Sequence, residues 1–388
     1  MQSAQDIALA DILARPTRAR VLDTPIPIDA LPTPALLLDE ARFERNVSKM
    51  ARYLNGRNKG FRPHAKTHKC PLISARQMAA GAVGVCAAKV SEAAVLVHAG
   101  ISDVLITSPI VSAQKAELIA DLARRARVDI VVDSNDGLDV LLDALPAQAQ
   151  LGVLIDVDVS MGRTGTRSEA RMLELATRIS DDPRTRFRGI QHYAGQVMHI
   201  EGYAARRERS LTLWESVAGS VALLTREGFP CEVVTGAGTG TYNIDSDVEV
   251  ITDLQVGSYI FMDQEYLLIG GAESERFDDF EVALSVASSA ISQPLPTAIT
   301  VDGGFKAFAS DSVNPEPMDL AGARFRFGGD EHGILLLEKG TQQPLLGSVQ
   351  RFVTPHCDPT VNLYDAYWVH RDGMVHAQWP VAARGCSW

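Results

Sequence analysis

Eight short β-rich runs, alternating with stretches able to form a helix, constrain this chain more than any other feature. They are FRPHAK (61–66), GAVGVCA (81–87), DVLITS (103–108), VDIVVD (128–133), LGVLIDV (151–157), FRGIQHY (187–193), CEVVTG (231–236) and LQVGSYIF (254–261). Segments such as SAQKAELIADLARRA and ERSLTLWESVAGSVALLTREG lie between them, with apolar residues at helical spacing. Eight strand-then-helix repeats are the number that closes a (β/α)8 barrel. Seven of the connections read as helices, and the closing one is the least clear. A doubly wound open sheet is the competing architecture, and it fits an eightfold repeat less well.

The pattern changes after about Tyr266. EVALSVASSAIS, PTAITVD, HGILLLE, GSVQRFV and LYDAYWVHRDGMVHAQWPV read as successive strands, with Asp372-Gly373 as a tight hairpin turn between the last two. The expected organisation is therefore a barrel over residues 40–265 and a mainly β domain over 266–388. The early strand PALLLD has no place among the eight, so residues 1–39 are expected to associate with the β domain.

Composition narrows the class of partner. Of 388 residues, 46% are hydrophobic and 22% charged, the balance of a globular enzyme. Lys and Arg number 37 against 48 Asp and Glu, a net charge of −11, which argues against nucleic-acid or anionic-membrane partners because both select clustered cations. Cys70, Cys86, Cys231, Cys357 and Cys386 are odd in number and scattered, with no CxxC pair, so no disulfide framework or structural zinc is implied. The N-terminal residues lack the apolar core of a signal peptide, and no run approaches the ~18 apolar residues of a spanning helix. A cytoplasmic location is the expectation.

In a barrel, functional groups gather at the C-terminal ends of the strands. The first run ends in Arg62-Pro63-His64-Ala65-Lys66-Thr67-His68-Lys69. A lysine at a strand mouth can be desolvated and its pKa lowered, as a Schiff-base lysine requires. A basic surface loop is the plainer reading of that segment taken alone. The seventh run ends in Thr235-Gly236-Ala237-Gly238-Thr239-Gly240, and the eighth contains Gly257-Ser258-Tyr259. Glycine-rich turns expose N–H groups to a phosphate, and the loops after strands seven and eight are the usual phosphate site of this fold. A lysine and a phosphate cradle two strands apart around the ring suggest pyridoxal phosphate. Arg163, after the fifth run, is placed to face the pyridine nitrogen and would leave it largely unprotonated. An arginine at a helix start, paired to an acid, explains it equally well. Tyr193, at the end of the sixth run, suits stacking on the ring or core packing.

The β domain carries Thr354-Pro355-His356-Cys357-Asp358-Pro359. If that segment is extended, His356 and Asp358 share a face and Cys357 points away. Imidazole plus carboxylate suits a divalent cation such as Mn²⁺, Co²⁺ or Mg²⁺, with water completing the shell. A hydrogen-bonded His–Asp pair is the alternative. Asp330-Glu331-His332-Gly333 is a further polar cluster that a surface turn explains as well.

Taken in order, RPHAKTHKCP, KVSEA, GRTG, GAGTG, GSYIFMD, DEHG and HCDPTVNL resemble the metal-dependent D-threonine aldolases. The match extends to their relatives the β-hydroxyaspartate aldolases and, more distantly, the D-serine dehydratases. The resemblance runs from about Thr33 to Gly385 and implies the alanine-racemase-like barrel plus β domain of pyridoxal phosphate fold type III. It implies that Lys66 holds the cofactor covalently with His64 beside it, that Arg163 meets the pyridine nitrogen, and that Tyr193 lies by the ring. Thr235, Gly238, Thr239 and Gly240, with Gly257, Ser258 and Tyr259, would take the phosphate. His356 and Asp358 would bind the metal, Mn²⁺ first and Mg²⁺, Co²⁺ or Zn²⁺ as alternatives, and His199 would approach the substrate hydroxyl. Two departures, Ala88 and Ala194, stand where the family carries polar side chains.

Aspartate at the third position of the H-x-D motif is the aldolase pattern, where dehydratases tend to carry cysteine. The implied reaction is cleavage of a 3-hydroxy-D-amino acid, D-threonine-like or 3-hydroxyaspartate, to glycine plus an aldehyde or glyoxylate. The alternatives are a dehydratase releasing a 2-oxo acid and ammonia, and a non-catalytic barrel that carries the cofactor. A homodimer is implied by the resemblance alone.

Overall fold

A computed structural model describes residues 4–388. Eight parallel strands form one sheet: β1 (Gly60–Phe61), β2 (Val85–Ala87), β3 (Asp103–Ile106), β4 (Arg127–Val132), β5 (Leu151–Asp156), β6 (Thr185–His192), β7 (Val233–Gly236) and β8 (Asp253–Leu254). Their order in the sheet is β1-β8-β7-β6-β5-β4-β3-β2. First and last strands meet: the Cys86 N–H donates to the Pro63 carbonyl at 2.9 Å, and His64 bridges Cys86. Sequential order with adjoining ends is a curled barrel, so the doubly wound alternative is set aside.

Burial on both faces explains why the central runs are rich in apolar residues. Every residue of β5 is buried. Cys86, Leu105, Val131, Leu154 and Val233 form one cluster, contributed by β2, β3, β4, β5 and β7. The alternate residues Val104, Ile130 and Val153 join the large core shared with the helices. Arg62, 4% exposed, is paired with Asp103 and lies 3.9 Å from Asp253, so this member of the first motif is a buried structural ion pair.

Two runs depart from expectation. Only Gly60–Phe61 and Asp253–Leu254 pair as strands; the remainder of 61–66 and 254–261 becomes the 3-10 turns Ala65–Thr67 and Ser258–Ile260. Pro63 has no N–H to extend a ladder, and these breaks are what turn the chain across the barrel mouth. No long helix follows β8. The helix Glu40–Asn55, which precedes β1, packs there instead, with Asn46 Nδ2 donating to the Ile260 carbonyl at 3.2 Å.

A second, ten-stranded sheet holds the remaining strands. Its strand Ala35–Asp39, with Leu36, Leu37 and Leu38 fully buried, pairs antiparallel with Leu284–Leu295 and parallel with Ala366–Arg371. Asp372 (φ 50°) and Gly373 (φ 77°) make the hairpin turn, both in the left-handed region that a type I′ turn needs. The strands Arg20–Pro27, Glu316–Pro317 and Ala323–Phe327 are absent from the sequence reading. Arg20–Pro27 is a mostly exposed edge with two prolines, and so carries no apolar alternation to read. Among the described residues no helix is long and apolar enough to cross a membrane.

Candidate active site

Lys66 sits in the 3-10 turn that follows β1, capped by His64. The Lys66 N–H donates to His64 Nδ1 at 3.4 Å, and His64 Nε2 lies 3.1 Å from Thr107 Oγ1. This network assigns the imidazole proton to Nε2. Burial, then the neighbouring Lys66, pushes the His64 pKa well below its usual value, so the ring is neutral.

Lys66 Nζ is 2.8 Å from Asp358 Oδ1, with 42% of the lysine side chain accessible and 15% of the aspartate. The carboxylate raises the lysine pKa and outweighs burial, reversing the lowered value that desolvation alone would give. Burial pushes Asp358 the other way, but Lys66 and then His356 overcome it and hold the carboxyl at about 2. No other donor reaches either Asp358 oxygen among the described residues.

The metal-motif segment is not extended. Cys357–Val361 is a helical turn with His356 at its N-cap, because Asp263 holds both the Cys357 N–H and its Sγ at 2.8 Å. Cys357 is thereby buried at Asp263, Asp358 meets Lys66, and His356 Nδ1 lies 2.8 Å from Asp311 Oδ2. His356 keeps a raised pKa, since Asp358, Asp263, Asp311 and Glu265 together overcome burial.

His199 closes the group. Its ring packs against that of Tyr266, tilted by 40° with centroids 4.7 Å apart, and its Nδ1 is 3.4 Å from Glu265 Oε1. Burial, then His356 and Lys66, lowers its pKa to about 4. Glu265, Tyr266 and Asp311 have no part in the sequence reading. Glu265 and Tyr266 lie two and three residues past GSYIFMD, the one available signal, whereas Asp311 lies in an unremarkable loop.

The two glycine loops adjoin, with Tyr259 N–H donating to Thr239 Oγ1 at 3.0 Å. Each opens a 3-10 turn, whose first N–H groups have no intrahelical acceptor. A Cβ on Gly238 would lie 2.6 Å from Met198 Sδ, one on Gly240 would collide with the Met198 carbonyl, and one on Gly257 would lie 2.6 Å from Thr67 Oγ1. That Thr67 hydroxyl is buried without a hydrogen-bond partner. Ser258 is buried, and the Tyr259 phenol accepts from Gln77 Nε2 at 3.1 Å. The Thr235 hydroxyl donates to Asp253 at 2.6 Å and so ties β7 to β8.

Arg163 is exposed, with its guanidinium 5.3 Å from the centre of the half-buried Tyr193 ring. It makes no ion pair among the described residues; Arg167 is the arginine that pairs, with Asp158 at 2.8 Å. Ala194 packs with Val197, Met198 and Leu213, an apolar cluster that explains the absence of a polar side chain there. Ala88 donates its N–H to Glu92 at 2.8 Å. In the DEHG turn Glu331 pairs with Lys306 at the surface.

Pyridoxal phosphate fits these residues: a partly accessible lysine stands at the barrel mouth, the Thr67 hydroxyl is buried without a partner, and glycines let the two loops pack where a Cβ would collide with Met198 or Thr67. Among the described residues no three His, Cys, Asp or Glu side chains converge on one point. A divalent cation therefore has two protein ligands to draw on. A buried carboxylate without donors beyond Lys66, and an imidazole already held at Nδ1, are suited to one.

The family model described as the alanine racemase N-terminal domain matches residues 38–265, and that of a putative serine dehydratase domain matches 283–370. The chain is 40% identical to a D-threonine aldolase of Arthrobacter sp, over 93% of this chain and 95% of the relative. It is 35% identical to a 3-hydroxy-D-aspartate aldolase of Paracoccus denitrificans, over 91% and 92%. The crystal structure of a D-threonine aldolase from Filomicrobium marinum superposes with a TM-score of 0.90 at 38% identity, covering 96% of this chain and all of that one.

Proposed function

This chain belongs to the alanine-racemase-like family that includes the D-threonine and 3-hydroxy-D-aspartate aldolases, and from that premise we propose that it is a pyridoxal-phosphate-dependent aldolase. Its substrate is a 3-hydroxy-D-amino acid, and its products are glycine and an aldehyde or glyoxylate. The observation that carries the reading is the meeting of Lys66 at the barrel mouth with Asp358 of the second sheet's region, at 2.8 Å.

In this reading Lys66 holds the cofactor aldehyde, and His64 braces the turn that presents it. The loops at Gly238, Thr239 and Gly240 and at Gly257 and Ser258 would offer N–H groups to the phosphate; Tyr259, whose own N–H goes to Thr239 Oγ1, would hold the two loops together. Thr235 acts at one remove, by fixing β7 against β8. Arg163 would face the ring nitrogen and Tyr193 would flank the ring. When bound, the cofactor supplies an electron sink for the pair released as Cα–Cβ breaks. His356 and Asp358 would hold the divalent cation, Mn²⁺ before Mg²⁺, Co²⁺ or Zn²⁺, whose chemistry is to make a hydroxyl more acidic. His199, neutral at pH 7, accepts the hydroxyl proton. We also take the barrel as residues 40–265 and the β domain as 266–388, the assembly as a homodimer and the location as cytoplasmic.

A product assay with Mn²⁺ and pyridoxal phosphate decides the reaction. Glycine from D-threonine or D-3-hydroxyaspartate is the expected result. A 2-oxo acid with ammonia would make the chain a dehydratase, and no product with a bound cofactor would make it a carrier. Light scattering at micromolar concentration should give the mass of two chains, and a monomer would refute the dimer.

A further inference from the structure

Glu265 lies between the two histidines of the site, with Oε1 3.4 Å from His199 Nδ1 and Oε2 3.7 Å from His356 Nδ1. Its backbone is fastened to the segment that delivers His356: the Glu265 N–H donates to the Pro355 carbonyl at 3.1 Å, and the Gln264 N–H to that of Thr354 at 2.9 Å. Asp263 caps the same turn through the Tyr266 N–H at 3.0 Å. One turn therefore presents both the carboxylate and the Tyr266 ring against which His199 packs.

The two imidazoles are not equal claimants. His356 Nδ1 already has Asp311 at 2.8 Å. His199 Nδ1 is buried without a hydrogen-bond partner, and Glu265 Oε1 is the carboxylate oxygen that faces it. A separation of 3.4 Å is slightly long for a hydrogen bond, and such contacts tighten once substrate is bound. We propose that Glu265 is a positioning residue: it accepts the Nδ1–H of His199, fixing the tautomer whose bare Nε2 receives the substrate hydroxyl proton. A carboxylate can only accept, so it selects the proton position, whereas an amide there can donate and select the opposite one.

This inference rests on His199 being the proton acceptor, and its test separates the two. In ¹⁵N-histidine spectra of the holoenzyme, with His199 assigned by His199→Gln, the wild type should carry its proton on Nδ1. Glu265→Gln keeps the side chain's shape and should move that proton to Nε2. It should also lower kcat by about 10²-fold or more, with KM within about 3-fold and the cofactor absorbance retained. Glu265→Asp, which keeps an acceptor, should hold the Nδ1–H tautomer and recover part of kcat. A wild-type His199 protonated on Nε2, or a Glu265→Gln enzyme whose His199 keeps its proton on Nδ1, overturns the proposal, and so does an unchanged kcat in Glu265→Gln where His199→Gln is inactive. If instead the tautomer switches as expected while His199→Gln itself keeps full activity, the positioning stands and the assignment of His199 as proton acceptor falls.

Discussion

Lys66 Nζ and Asp358 Oδ1 stand 2.8 Å apart, joining the turn after the first barrel strand to a helical turn near the other end of the chain. The pair stores Lys66 as an ammonium, because the carboxylate raises its pKa. Only the neutral amine attacks an aldehyde. Removing the carboxylate lowers the lysine pKa, and each unit is about tenfold in free amine while the pH stays below the pKa. Apoenzyme carrying Asp358→Asn should therefore take up pyridoxal phosphate faster than wild type at pH 8, and the difference should shrink as the pH rises. Stopped-flow absorbance measures both, with Lys66→Ala as the variant that gains no band. Equal rates for Asp358→Asn and wild type would remove the ion pair from the account of cofactor capture.

Chelation separates binding from turnover. EDTA-treated wild type should keep the cofactor absorbance and lose nearly all cleavage, and Mn²⁺ should restore it. His356→Ala and Asp358→Ala should retain the cofactor yet stay inactive after the same addition. Undiminished cleavage by enzyme shown metal-free by elemental analysis would make this segment purely structural.

Acid should destabilise the fold through its buried imidazoles. His68 is fully buried, and burial lowers its pKa from 6.5 to about 3. Between these values the unfolded chain binds the proton and the folded chain does not. The stability His68 confers is thus complete above about pH 6.5 and falls by about 1.4 kcal/mol per pH unit below it, down to about pH 3. Urea midpoints from pH 7 to pH 5 should fall steeply in wild type and less steeply in His68→Gln. Parallel slopes would show that folding leaves the His68 pKa unshifted.

The glycine loops should not tolerate a methyl group. Gly240→Ala places a Cβ against the Met198 carbonyl, backbone that has nowhere to move. It should cost about 1–3 kcal/mol in urea unfolding and weaken the cofactor. At Gly257 the Cβ meets the Thr67 hydroxyl at 2.6 Å, a side chain able to rotate away. Gly257→Ala should therefore keep more stability while still raising the cofactor Kd, read by equilibrium dialysis. A Gly257→Ala protein with unaltered Kd would take that loop out of the phosphate site.

The eight barrel strands were legible because strand formation is local. A parallel strand covered on both faces is apolar along most of its length, as the fully buried Leu151–Asp156 is up to its terminal aspartate, and that signature needs no knowledge of its neighbours. The motifs placed Lys66, His356 and Asp358 by the same kind of short-range pattern. What the pattern did not carry is which groups meet. The strand Arg20–Pro27 exists only because Met374–Pro380 offers it a partner, and the helix closing the barrel comes from before the first strand. His356-Cys357-Asp358 reads as extended until Asp263 binds the Cys357 N–H and starts a helical turn. Asp311 and Glu265 become neighbours of His356 through folding alone. The direction of the Lys66 pKa is the plainest case. Local desolvation argues for a lowered value, and a carboxylate from the other sheet's region reverses it, because a Coulomb interaction depends on distance through space and not on separation along the chain.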